Sequence, residues 1–419
     1  MNKKQFLLVL GVLVALLAAG GGLLSSERSD WKTSDTKAGQ RLIPDLKASD
    51  VAELVISAAG ERLTLKKGEA GWGIVERNGF PANIERIGEL LLKLVEMKVV
   101  QTDAAADSQR ARLGLQEPGA DVGKAEGGSQ AGGVGKAEGV GKAEGAAKDD
   151  ANVSGTVLEL KDAAGKSMAR LLLGKKLSKS VEGPAGARQE AAGRYLLSGN
   201  AETGKVLNVI VVADPLAQVD VAAEQWVAKE LIRVERAKSI VATGPDGRQR
   251  FALSRENDDA EWKLAGGEKG DSSKIIDVTS GMISMNLTDV VAGDKGNPSA
   301  ENGLDKPVVI RADTLDGISY VLRLGARSGE DKVYARVSVS GEIAQNIPRT
   351  PPKDEKAEDK DKNDQSWIEH RKREAARVAR EKKLEGWTLL LSRNAVEALL
   401  RERSQFLPEK KKDDKKGGR

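Results

Sequence analysis

Cysteine is absent from this 419-residue chain, and histidine occurs once, at His370. That inventory excludes a thiolate nucleophile, a disulfide framework and nearly all zinc chemistry. A large secreted eukaryotic protein usually carries disulfides, whereas a bacterial periplasmic protein stands without them. The sequons Asn152-Val153-Ser154 and Asn286-Leu287-Thr288 are accordingly read as accidental. Aromatic residues make up only 3% of the chain, so each one carries information. Neither sign of charge dominates. With 67 basic and 63 acidic residues the net charge is +4, too small a field to gather nucleic acid, and no nucleic-acid partner is expected.

What is present begins with an apolar run. Lys3 and Lys4 precede an uncharged stretch over 6–24, whose length at ~1.5 Å per residue reaches about 28 Å, close to a bilayer core. Residues 1–24 are read as one N-terminal transmembrane helix. The alternative is a cleaved signal peptide, because Ala18-Ala19-Gly20-Gly21 offers small residues to a peptidase, although the apolar run continues through Leu23 and Leu24. The positive-inside rule leaves the N-terminus cytoplasmic. The expected location is the bacterial inner membrane, single-pass, with the bulk of the chain periplasmic. No lipobox cysteine exists, which excludes a lipoprotein.

Past a polar linker over 25–40, the pattern is β-strand, turn at Gly60, then alternating Leu63 and Leu65. A short strand carrying Trp72 follows, and Pro81-Ala82-Asn83 opens a helix with Asn83 as its candidate N-cap. Ile84, Ile87, Leu91 and Leu94 fall at helical spacing on one face. The same order returns later in the chain. Ile275, Val278, Met282 and Met285 each lie 191 residues after their counterparts, as Val290-Val291 does after Val99-Val100. Trp262 follows Trp72 by 190, and Gly303-Leu304-Asp305-Lys306-Pro307 follows Gly114-Leu115-Gln116-Glu117-Pro118 by 189. Beyond these prolines, Val157 and Val308, then Leu171-Leu172-Leu173-Gly174 and Leu322-Arg323-Leu324-Gly325, share an offset of 151. Chance does not hold such a register. The expected fold class is α+β: two tandem copies of an antiparallel-sheet-plus-helix module, at 41–228 and 229–408, behind the membrane helix.

The fall in offset marks an insert in the first copy, and 119–150 is low-complexity, with Val-Gly-Lys-Ala-Glu-Gly recurring at Val122, Val134 and Val140. It reads as a linker-like loop. The second copy has its own charged helical insert over 348–385, read as a solvated helix, with a partner-docking helix as the alternative. The basic tail over 409–419 reads as a solubilising end.

The opening Leu42-Ile43-Pro44-Asp45-Leu46 and Ala48-Ser49-Asp50-Val51, the strand Gly71-Trp72-Gly73-Ile74, Pro81-Ala82-Asn83, Gly114-Leu115-x-x-Pro118 and Gln225-Trp226 are the most distinctive segments. Together with the apolar N-terminus they resemble the domain-of-unknown-function family 4340, over most of 41–235. The resemblance implies a membrane-anchored envelope protein encoded beside gliding-motility-type ABC transporter subunits, hence an integral-membrane partner such as those subunits. It supplies no catalytic residues.

Candidate chemistry is sparse. Ser29-Asp30-Trp31-Lys32 and Ser34-Asp35-Thr36-Lys37 match the Ser-x-x-Lys pattern of serine acyl-transfer, and Ser198-Gly199-Asn200 mimics a second element of it. Both serines lie in the linker rather than opening a buried helix, and no Lys-Thr-Gly strand exists. His370 stands among Glu369, Arg371 and Lys372, where it is expected to be solvated. Asp149-Asp150 and Asp258-Asp259 offer paired carboxylates, but in turn or loop contexts. Glycine-rich segments lack a Lys-Ser or Lys-Thr ending and are not phosphate cradles. Trp72 and Trp262 are read as module core, with sugar stacking as the alternative. No catalytic, metal-binding or cofactor-binding residue is assigned, and no cofactor is expected. The chain reads as a non-enzymatic extracytoplasmic scaffold or accessory protein, with a cell-wall or polysaccharide-binding module as the alternative.

Overall fold

The computed structural model describes residues 38–103, 107–118, 155–183, 186–199, 206–292, 298–345, 347–351 and 355–407. The anchor over 1–24, most of the linker, the insert over 119–150 and the tail over 409–419 lie outside the described residues. The described residues separate into two compact units, one within 1–64 and 85–221, the other within 65–84 and 222–419.

The fold is α+β and mostly sheet. The alternating apolar positions noted above become β1 (Glu53–Ala58), β2 (Glu61–Gly68), β3 (Gly71–Ile74) and β4 (Phe80–Pro81). The chain continues through helix α1 (Ile84–Glu96), β5 (Val99–Asp103) and the short α2 (Asp107–Arg112), then β6 (Thr156–Lys161), β7 (Ser167–Gly183), β8 (Gly186–Gly199) and β9 (Val206–Val212). These strands form one sheet in the order β4-β3-β2-β1-β6-β7-β8-β9-β5. The second set is β10 (Ala237–Thr243), β11 (Gln249–Ser254), β12 (Lys263–Leu264), α3 (Ser272–Ile283), β13 (Leu287–Val290), β14 (Val308–Thr314), β15 (Ser319–Ser328) and β16 (Lys332–Ser340). It closes with the long α4 (Lys360–Lys382), β17 (Leu389–Ser392) and α5 (Arg393–Val396). Its sheet runs β12-β11-β10-β14-β15-β16-β17-β13. Apart from β4, the two orders coincide strand for strand, with α1 preceding β5 and α3 preceding β13 at the same point.

Helix periodicity survives with one exception. In α1 the residues Ile87, Leu90, Leu91 and Leu94 are buried, but Ile84 is 65% exposed. Ile84 is the first helical residue, and its Cα–Cβ bond tilts toward the N-terminus, beyond the face the later turns bury. In α3, Ile275, Val278 and Met282 are buried, and Met285 is buried just past the helix end. Asp271 caps α3, its carboxylate accepting from Ser273 N at 2.9 Å and Lys274 N at 3.4 Å.

The Gly-Leu-x-x-Pro segments acquire a physical reason. Gly114 and Gly303 both adopt left-handed conformations, at φ 67° and 65°. Each turn then lays a buried leucine, Leu115 or Leu304, against a strand glycine, Gly174 or Gly325. A Cβ on either strand glycine would fall on a turn carbonyl, that of Leu113 or Asn302. The same carbonyls accept equivalent hydrogen bonds, from Lys175 N at 2.7 Å and Ala326 N at 2.8 Å. In the first unit this turn covers Val157, Leu172, Leu197 and Val209. Leu171 to Leu173 are buried in succession, because both faces of β7 are covered there. β16 instead alternates along its length, and β15 does so as far as Leu324, with Tyr320, Leu322 and Leu324 inward.

Two expectations need correcting. Trp72 and Trp262 are only partly buried, and the inward positions of their hairpins belong to Ile74 and Leu264. Trp72 sits opposite Lys67, near the end of its hairpin, and the Arg255 guanidinium lies 5.0 Å over the Trp262 ring. Among the described residues the fully buried indole is Trp226. Nor is the charged helix solvated all round: α4 packs on β16 and buries Arg371, Val378 and Glu381.

Candidate functional site

The polar groups that α4 buries form a connected network within the second unit. Helical spacing brings Arg371, Glu374, Val378 and Glu381 to one side of α4, and the alternation of β15 turns Tyr320 toward it. The Tyr320 hydroxyl donates to Glu381 Oε2 at 2.9 Å. Glu381 Oε1 accepts from Arg377 Nη1 at 2.8 Å and from the Arg233 amide at 2.9 Å. Arg377 also donates to the Arg233 carbonyl at 2.7 Å and pairs with Glu374. A turn earlier, Arg371 Nη1 donates to Asp316 Oδ1 at 2.7 Å, while its other nitrogens donate to the Ala344 carbonyl at 2.8 and 3.0 Å. Arg236 completes the chain, reaching Asp316 at 2.9 Å and Asp258 at 2.7 Å.

Burial and pairing shift the charges in opposite senses. Burial raises the Tyr320 phenol well above its ordinary range, and the Glu381 carboxylate adds to that. For Arg377 burial works against the charge, but Glu374, Glu381 and the Tyr320 hydroxyl outweigh it and its pKa rises. For Glu374 burial again opposes ionisation, and Arg377 more than offsets it, so its pKa falls. Each carboxylate in this network pairs with an arginine, and the network ties α4 to its sheet.

Beside this network lies a cleft of about 680 Å³. Its apolar wall comes from Phe80, Leu231, Ile232, Ile283, Met285 and Leu384, and its rim carries Arg380 and Lys383 from the end of α4. A smaller cavity of about 250 Å³, which Tyr320 helps to line, also meets Arg236, Asp316 and His370.

Of the candidate residues singled out in the sequence, His370 and Asp258 line the smaller cavity, and none lines the cleft. Ser29, Lys32, Ser34, Lys37, Asp149, Asp150 and Asn200 lie outside the described residues. Ser198 and Gly199 end β8. His370 is exposed on α4, its ring 6.1 Å from that of Trp367. Asp258 pairs with Arg236 and Arg255, and the Asp259 amide donates to Asn257 in a turn. Sequence reasoning missed the cleft and the network. The alternation of β15 marks Tyr320 as inward, but nothing local to it names Glu381 as its partner. Among the described residues no helix is long and apolar enough to cross a membrane, and no group of three or more His, Asp or Glu could hold a metal ion. Comparison with protein-family models, with curated proteins and with solved structures finds no match to this chain.

Proposed function

We propose that this chain is a membrane-anchored, extracytoplasmic scaffold or accessory protein that works by binding, built from two tandem copies of one sheet-and-helix module. The duplication is supported by the common strand order and by the paired Gly-Leu turns, each seated on a strand glycine at the equivalent place, Gly174 on β7 and Gly325 on β15. The residues over 1–24 supply the anchor, with the N-terminus cytoplasmic and both modules outside the inner membrane of a bacterium. The family resemblance adds the partner: an integral-membrane protein, with ABC transporter subunits first in line. The observation that carries the binding role is the contrast around α4. The ionisable groups on its buried side are paired, while the neighbouring cleft offers a largely apolar wall.

The test is in-cell cross-linking of the full chain followed by isolation from native membranes. Integral-membrane transporter subunits should be captured, and the triple variant Ser29→Ala, Ser34→Ala, His370→Ala should keep the cellular phenotype. Loss of phenotype in that variant with folding preserved, or capture of soluble proteins alone, overturns the reading. A second reading, glycan binding, draws on the partial exposure of Trp72 and Trp262. A stable Trp72→Ala protein that no longer binds cell-wall glycan would put it first.

A further inference from the structure

We infer that the cleft beside α4 binds a single-chain anionic amphiphile, its hydrocarbon chain against the apolar wall and its anionic head at the Arg380–Lys383 rim. The inference goes beyond the accessory role proposed above and does not depend on it.

The volume, about 680 Å³, lies within the ~300–1,000 Å³ of clefts that bury small ligands. Its inner wall is apolar, and the buried charges beside it, Glu381 and Arg377, are already paired. Glu381 holds three donors, and Arg377 is tied to Glu374, Glu381 and the Arg233 carbonyl. A hydrocarbon chain brings no hydrogen-bonding group to such a wall, whereas a peptide segment would have to desolvate its backbone there. This difference favours an alkyl chain over a protein partner. The rim then selects the head. Arg380 is 65% exposed and Lys383 is exposed one turn on, at the end of α4. The nearby counter-charge is Glu230, itself 84% exposed and 3.9 Å from Arg380, which offsets one of the two rim cations. Arg377 and Glu381 cancel each other within the wall, so one cation remains in excess at the mouth and complements a carboxylate or phosphate.

The probe is a dansyl-labelled undecanoic acid titrated into the full chain held in phosphatidylcholine nanodiscs, with direct excitation of the dansyl group. The reference is Ile283→Trp, which fills the cleft from a wall position that is 41% exposed and so tolerates the larger ring. Saturable binding should appear in the wild type and vanish in Ile283→Trp. Laurate should displace the probe and dodecylamine should not. The charge-reversal variant Arg380→Glu, Lys383→Glu, made at exposed positions that leave folding intact, should weaken laurate about tenfold, close to 1.4 kcal/mol, while leaving dodecanol unchanged. Equal binding by Ile283→Trp, or equal competition by dodecylamine, overturns the inference. Displacement by an apolar peptide but not by laurate overturns it in favour of a protein-docking groove.

Discussion

Trp226 and Trp72 separate two roles that a scarce aromatic can play. Trp226 has no exposed surface, and Trp226→Ala should destabilise the second unit by about 3–5 kcal/mol, the usual cost of emptying an indole site. Trp72, partly exposed near the end of its hairpin, should cost less than about 2 kcal/mol on the same substitution. Thermal unfolding of the two variants checks both, and equal losses would contradict the burial pattern. Glu374 supplies a pH test. Its folded pKa lies below its ordinary 4.5, so its contribution is fully present above that value and is lost as pH falls through the lower, folded one. The stability gap between wild type and Glu374→Gln should therefore be widest near neutral pH and close on acidification below 4.5. A gap that persists or widens in acid would show that Arg377 does not hold this carboxylate.

At the scale of elements, the paired turns make the sharpest prediction. Gly174→Ala and Gly325→Ala each drive a methyl group into a carbonyl oxygen and a buried leucine, and should each cost about 1–3 kcal/mol. Calorimetry resolving two transitions should show each substitution lowering mainly the transition of its own unit. Normal stability for both would mean that the turns do not seat on these strands. The same elements show how far the sequence was readable. Strand alternation and the helical spacing of Ile87, Leu91, Ile275 and Val278 were legible because one period governs both burial and backbone geometry. Ile84 fails because the period says nothing about where the covered surface stops. The buried side of α4 was not legible either, since Arg371 and Glu381 read as solvent-facing residues until the partners that neutralise them are known. Those partners, Asp316 and Tyr320, lie 55 and 61 residues away in the chain.

At the scale of the whole molecule, the offsets of 189 to 191 and of 151 residues anticipated a repeated order of elements, and apart from β4 the two sheets have the same strand order. The cleft was invisible, because its wall draws on residues as distant as Phe80, Ile232, Met285 and Leu384, none adjacent in sequence. The proposed function depends above all on where the folded units stand. That placement rests on the uncharged stretch over 6–24 behind Lys3 and Lys4. The most direct test is protease treatment of intact spheroplasts, with the full chain followed by antibodies to its two ends. The account predicts that the chain stays with carbonate-washed membranes, that both modules are digested from outside, and that a short N-terminal fragment is protected. Soluble periplasmic protein lacking residues 1–20, or modules protected until the membrane is broken, would contradict it.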